Sequence, residues 1–211
     1  MAAARRRHDD RLLDALGEIE PEPFAGAMWR VVRAGRSVLD GSRGSGRWNP
    51  ASLSVLYGAQ EADGAIAETH FHLNRGQSVF PSRMRHVLFE LRIATKGSLV
   101  LADMDALGRL GVVPARYGEI LYDRTQEIAD AAFFMGYDGI IAPSARWPCR
   151  NIVLFLNRIA LDDIEEVSSA PIDWNEWRMR NAGYTMQLRS APAPTPQSRL
   201  FPWHVLCMRR A

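Results

Sequence analysis

Residues 85–93 read Arg-His-Val-Leu-Phe-Glu-Leu-Arg-Ile, and no other stretch constrains the fold as much. Val87, Phe89, Leu91 and Ile93 project one way; His86, Leu88, Glu90 and Arg92 project the other. A two-residue period with one apolar face belongs to a strand lying on a core. Residues 121–135 carry helical periodicity instead and stop at Gly136, a residue suited to a left-handed cap. A chain holding both must pack helices on a sheet.

The remaining pattern extends this reading. Residues 28–33, 53–57, 98–101, 139–142 and 151–155 read as short strands, and residues 9–19, 61–73 and 172–181 as helices. Pro21 and Pro23 end the first helix, and residues 35–50 form a loop rich in glycine and serine. Pro192, Pro194 and Pro196 predict an extended linker over residues 190–198, and the apolar residues 200–208 are expected to pack back on the body. Strands and helices mix without a regular strand–helix–strand repeat, so the expected class is α+β rather than a doubly wound sheet.

Bulk properties exclude several function classes. With 211 residues, 47% of them hydrophobic and 24% charged, the chain can bury one sizeable core and is not disordered as a whole. A net charge of +2 is too small to argue for nucleic acid by itself. Cys149 and Cys207 make no disulfide framework and fit a reducing compartment. No apolar run approaches the ~20 residues of a membrane span. No apolar core follows Arg5, Arg6 and Arg7 as a secretory signal would require, so a cytoplasmic protein is expected. His70 and His72 diverge on a helix and make a poor metal pair, and no metal site is expected. The glycines of Gly41-Ser42-Arg43-Gly44-Ser45-Gly46 lack the Lys-Ser/Thr ending of a phosphate-binding loop.

Four segments stand in a telling order. They are Met28-Trp29-Arg30-Val31-Val32-Arg33; Gly46-Arg47-Trp48-Asn49-Pro50; Val55-Leu56-Tyr57-Gly58 leading to Ala65-Ile66-Ala67-Glu68; and Gly136-Tyr137-Asp138-Gly139-Ile140-Ile141-Ala142-Pro143-Ser144-Ala145-Arg146. This arrangement resembles the RES domain family over about residues 24–157. The resemblance implies a single domain similar to the ADP-ribosyltransferase fold, with mixed sheets and flanking helices around a central NAD⁺ cleft. It implies a catalytic domain over residues 24–188, preceded by a helical extension at 1–23 and followed by a proline-rich segment at 189–211. It also implies a toxin of a toxin–antitoxin pair whose substrate is NAD⁺. The implied partner is an Xre-like antitoxin that blocks the cleft within a higher-order complex, with no direct nucleic-acid or membrane contact.

The chemistry makes sense of the residues. Nicotinamide leaves NAD⁺ as a neutral group, so no acid is needed to protonate it. The ribose passes through an oxocarbenium-like state, which a nearby carboxylate stabilises. Glu68 fits that role, although alone it would read as a solvated helix glutamate. Arg30 and Arg47 carry guanidinium forks suited to phosphate oxygens. Arg30 sits in an apolar segment and needs a partner, either a ligand phosphate or a salt bridge. Tyr57 either stacks on nicotinamide or holds the ribose, or is a core tyrosine with its hydroxyl at the surface. The Ser144 hydroxyl can bond the nicotinamide amide or Glu68, or simply form a turn. It is no nucleophile, since the bond to be cut is glycosidic and no histidine is placed to activate it. Arg146 supplies a supporting charge, while Trp48 and Asn49 shape the loop. Arg33 and Arg43 read as surface charges.

Three activities remain open at this level. The first is a free NAD⁺ glycohydrolase or phosphorylase that depletes NAD⁺. The second is a protein mono-ADP-ribosyltransferase acting on a metabolic enzyme such as a phosphoribosyl pyrophosphate synthetase. The third is a non-enzymatic nucleic-acid module leaning on Arg5, Arg6, Arg7, Arg209 and Arg210, but no helix clusters basic residues to serve it.

Overall fold

Pro23 lacks a backbone N–H, and the first strand makes room for it with a register shift between Glu22 and Phe24. That strand, β1 (Glu22–Arg33), is longer than the six residues its apolar pattern marks. The computed structural model describes residues 8–42, 44–75 and 83–183. Before β1 lies helix α1 (Asp10–Gly17), whose first turn is capped by Asp9 accepting from Arg11 N. After it come β2 (Val55–Ala59), α2 (Ala62–Asn74) and β3 (His86–Val100). Then follow α3 (Met104–Arg109), α4 (Asp123–Met135), β4 (Gly139–Pro143), β5 (Arg150–Phe155) and β6 (Ile164–Pro171).

The chain divides into two compact units, Met1–Asp173 and Trp174–Ala211. The described part of the second, residues 174–183, holds helix α5 (Trp174–Arg180), in which Trp174 and Trp177 are buried. The predicted linker at 190–198, the apolar segment at 200–208, Cys207, Arg43 and the N-terminal arginines lie outside the described residues.

The first unit is a mixed α/β structure with one six-stranded sheet, ordered β1-β2-β5-β4-β3-β6. The long antiparallel pairing of β1 with β3, from Glu22↔Ser98 to Arg33↔His86, closes five of these strands into a barrel-like ring. Among the described residues, only β3 and β4 run parallel. Side chains alternate across the ring. Met28, Leu56, Leu91, Ile93, Ile141, Ile152 and Leu154, drawn from all five strands, form one apolar cluster. Ile140, Ala142, Val153 and Phe155 face the other way, onto α1, α3 and α4 through Leu12, Leu16, Leu107, Ile128 and Ala132.

Two predicted strands, 85–93 and 98–101, are one continuous element. Alternation survives the weakly apolar middle because Thr95 occupies a buried slot, with its hydroxyl 2.8 Å from Ser98 Oγ and 3.1 Å from Phe24 N. Helix α4 ends as expected, with Gly136 at φ 95°. The next residues of that motif are architectural. The Tyr137 hydroxyl donates to the Leu16 and Ile19 carbonyls, and the Asp138 carboxylate accepts from Lys96 N and Gly97 N. Strand β6 and helix α3 carry no clear sequence pattern: β6 is exposed along nearly its whole length and is held by backbone pairing to β3. No helix among the described residues is long and apolar enough to cross a membrane.

Candidate functional site

Strand β5 lies between β2 and β4, so Asn151 at its head pairs with both Ala59 and Ala142. Chain leaving β2 turns through Gln60, whose N–H donates to the Arg150 carbonyl, and enters α2. This geometry suspends Glu68 of α2 over Asn151. Strand β4 ends at Pro143, and the turn before β5 is closed by Ser144 N on the Cys149 carbonyl. The result is a three-way junction. Ser144 Oγ donates to Glu68 Oε1 at 2.7 Å, and Asn151 Nδ2 donates to the same oxygen at 2.8 Å. Ser144 Oγ also accepts from Arg146 N at 3.1 Å. Glu68 Oε2 makes no hydrogen bond among the described residues.

The glycine-rich loop folds around Asn49, which is fully buried. Its Nδ2 donates to the carbonyls of Gly44, Pro50 and Leu53, and its Oδ1 accepts from the Tyr57 hydroxyl at 2.9 Å. That hydroxyl in turn accepts from Trp48 N at 2.8 Å, so it points into the loop rather than to the surface. Burial pushes the Tyr57 phenol far above the usual tyrosine range. Gly46 closes the loop at a point where a Cβ would stand 2.7 Å from both Asn49 Oδ1 and the Tyr57 hydroxyl.

Arg47, presented by this loop, lies against two rings, 4.5 Å from the Tyr117 centroid and 4.8 Å from that of Tyr122. Its Nη2 donates to the Glu119 carbonyl at 3.2 Å, and among the described residues no carboxylate pairs with it. Arg146 stacks on Phe71 at 3.4 Å and donates to the neighbouring Gly118 carbonyl at 2.6 Å. The Tyr117 hydroxyl donates to the Pro143 carbonyl, and burial pushes its phenol up to about 12. The segment from Tyr117 to Tyr122 is thus held against the Ser144 turn and against both arginines.

Arg30 stands differently. Its Nε, Nη1 and Nη2 donate to the carbonyls of Val38, Tyr57 and Asp40 at 2.9, 2.6 and 2.7 Å. Burial lowers its guanidinium to about 10, still charged at neutral pH. The partner its apolar setting demands is backbone, supplied by β2 and by the chain after β1. Of the five residues singled out from sequence, Glu68 and Ser144 are in direct contact; Arg47 sits on the adjoining loop, which Tyr57 of β2 meets through its hydroxyl; Arg30 ties β2 to the chain that leads into that loop.

Sequence reasoning missed Asn151, Tyr117 and Tyr122. Asn151 offered one signal, a polar residue heading the apolar run Ile152, Val153, Leu154, Phe155. The two tyrosines offered none. An open groove of about 580 Å³ reaches Ser144 and is lined by Gln60, Glu61, Asp103, Trp147, Cys149 and Arg150 among others. Burial pushes the Cys149 thiol up to about 11, leaving it neutral at physiological pH. A second cavity of about 330 Å³, between β1, β3 and β6, holds none of these site residues. Among the described residues no cluster of three or more His, Cys, Asp or Glu is placed to hold a metal ion.

Comparison with known proteins locates this arrangement. Toxin Res of Pseudomonas putida is 38% identical to this chain over 65 residues, which span 30% of this chain and 45% of that protein. The match therefore covers less than half of that relative's length. The crystal structure of the M. tuberculosis MbcT-MbcA toxin-antitoxin complex is similar in fold, with a TM-score of 0.73 at 18% identity, covering 82% of this chain and 98% of that one. The RES domain matches residues 27–175, well over half the chain, and the chain therefore belongs to the RES domain family.

Proposed function

We propose that this chain is the toxin of a toxin–antitoxin pair and that it cleaves the nicotinamide–ribose bond of NAD⁺. The observation that carries the reading is the Glu68 carboxylate, gripped through one oxygen by Ser144 and Asn151 with its other oxygen unengaged. A fixed negative charge of this kind suits a reaction whose sugar becomes positive as a neutral base departs. Arg47, a cation without a carboxylate partner, lies in the adjoining loop and suits a pyrophosphate. Tyr122 and Phe71, half-buried beside Arg47 and Arg146, offer rings for a base to lie against, while the buried Tyr117 backs Arg47. On this reading Arg30 acts by holding β2, with Tyr57, to the chain that leads into the loop carrying Arg47. The likeness to ADP-ribosyltransferases belongs to the same proposal. So does an Xre-like antitoxin covering the cleft; the likeness in fold to a toxin solved with its antitoxin supports a protein partner, and the partner's type and seat belong to the proposal.

The test is incubation of the chain with NAD⁺, with and without phosphate, following nicotinamide and the ribose product by mass. Nicotinamide release is expected, and Glu68→Gln should lower it by about 100- to 1,000-fold, the usual loss when charge stabilisation is removed. Free ADP-ribose would mark water as acceptor and its phosphate ester would mark phosphorolysis. Labelled protein from a lysate supplied with labelled NAD⁺ would mark transfer. No release and no label under any of these conditions overturns the proposal.

A further inference from the structure

Asn151 is 7% exposed, and the four residues after it in β5, from Ile152 to Phe155, are apolar and almost fully buried. Its Oδ1 is buried and has no hydrogen-bond partner among the described residues. Such an orphaned carbonyl works against folding, and native structures retain few of them. A leucine of similar size would fit the same slot between its buried cross-strand neighbours Ala59 and Ala142. What leucine cannot do is donate to Glu68 Oε1, as Asn151 Nδ2 does at 2.8 Å. The orientation of the amide follows from that bond. Turned around, Oδ1 would face the carboxylate and repel it. The unpartnered oxygen is therefore the consequence of committing the N–H to Glu68.

We infer that Asn151 is a positioning residue, which with Ser144 occupies Glu68 Oε1 and so presents Oε2 to the reacting ribose. The inference rests on the NAD⁺ reading and adds a residue to it. Oε1 accepts two hydrogen bonds, one from the turn after β4 and one from β5. Two donors from separate elements fix the rotation of the carboxylate, where one donor would leave it free to swing.

The test uses the full chain with Asn151→Leu and Asn151→Asp. The first removes the donor and also the buried orphan. The second keeps the shape and replaces the donor by an acceptor. Turnover of NAD⁺ per folded molecule should fall about tenfold in Asn151→Leu, the loss expected for one of the two donors, and further in Asn151→Asp, with KM within about threefold of wild type. The melting temperature of Asn151→Leu should equal or exceed that of wild type, the pattern of a residue retained for activity against stability. A structural asparagine would give the opposite, a lower melting temperature with kcat intact, and that result overturns the inference while leaving NAD⁺ cleavage standing. Should the wild-type chain release no nicotinamide at all, the NAD⁺ reading falls separately. Positioning is then decided by a crystal structure of Asn151→Leu. Glu68 swung off Ser144 sustains it, and Glu68 unmoved overturns it.

Discussion

Ser144 and Glu68, 76 residues apart in sequence, meet through a 2.7 Å hydrogen bond from hydroxyl to carboxylate. A turn between two strands and the second turn of a helix are thereby joined at one oxygen. Ser144→Ala should remove one donor and leave Asn151 as the other. Loss of one such bond is worth about 1.4 kcal/mol, which is tenfold in rate. Turnover should drop about tenfold, with a melting temperature within a few degrees of wild type. Undiminished turnover would mean that Ser144 only shapes the turn.

The loop around Asn49 makes a prediction about coupling. Tyr57→Phe deletes the hydroxyl that serves both Asn49 Oδ1 and Trp48 N, leaving two buried groups unpaired. A loss of about 2–3 kcal/mol is expected, or roughly 4–12 °C in melting temperature for a chain of this size. Gly46→Ala would push a methyl into the same pair of atoms. Because both changes break one contact, the double variant should lose less than the two losses added together. Simple additivity, measured by denaturant unfolding, would show that they act on separate contacts.

Arg30→Lys separates a structural from a ligand-binding role. One ammonium cannot reach three carbonyls placed around a planar fork. The expected result is a stability loss of about 2–4 kcal/mol, with KM for NAD⁺ changing only as far as the loop shifts. Unchanged stability with a KM raised tenfold or more would show that the cation instead meets phosphate directly.

Tyr117 sets an alkaline limit. Burial raises its phenol from 10.0 to about 12, so the folded state holds that proton more tightly than the unfolded chain does. Its contribution is complete below pH 10 and is lost as pH rises from about 10 to 12. The difference is worth roughly 2–3 kcal/mol. Unfolding free energies measured across that range should fall more steeply for wild type than for Tyr117→Phe. Parallel curves would remove Tyr117 as the cause.

Much of this architecture was legible because apolar side chains keep a period. Leu91, Ile93, Ile140, Ile141 and the run from Ile152 to Phe155 announce their strands, and Gly136 announces a helix end. Where a polar residue takes an apolar slot the period fades, which is why β3 read as two strands around Thr95. Strand β6 buries too little to leave any period at all. The site divides in the same way. Glu68, Arg47, Tyr57 and Ser144 stood out through family motifs. Asn151 and Tyr117 did not, because their importance lies in which atoms they meet across the fold. Arg30 was recognisable as a cation in need of a partner, but no sequence pattern names the carbonyls of Val38, Asp40 and Tyr57.

Asn49 has a consequence for how a ligand would be received. With its amide spent on three carbonyls and the Tyr57 hydroxyl, the loop bearing Arg47 surrenders its conformational freedom when the chain folds. A ligand drawn to Arg47 meets backbone already set in place, and little ordering entropy is left to oppose binding. Capture should then be governed by encounter and charge, its rate falling with ionic strength, rather than by waiting for a loop to close.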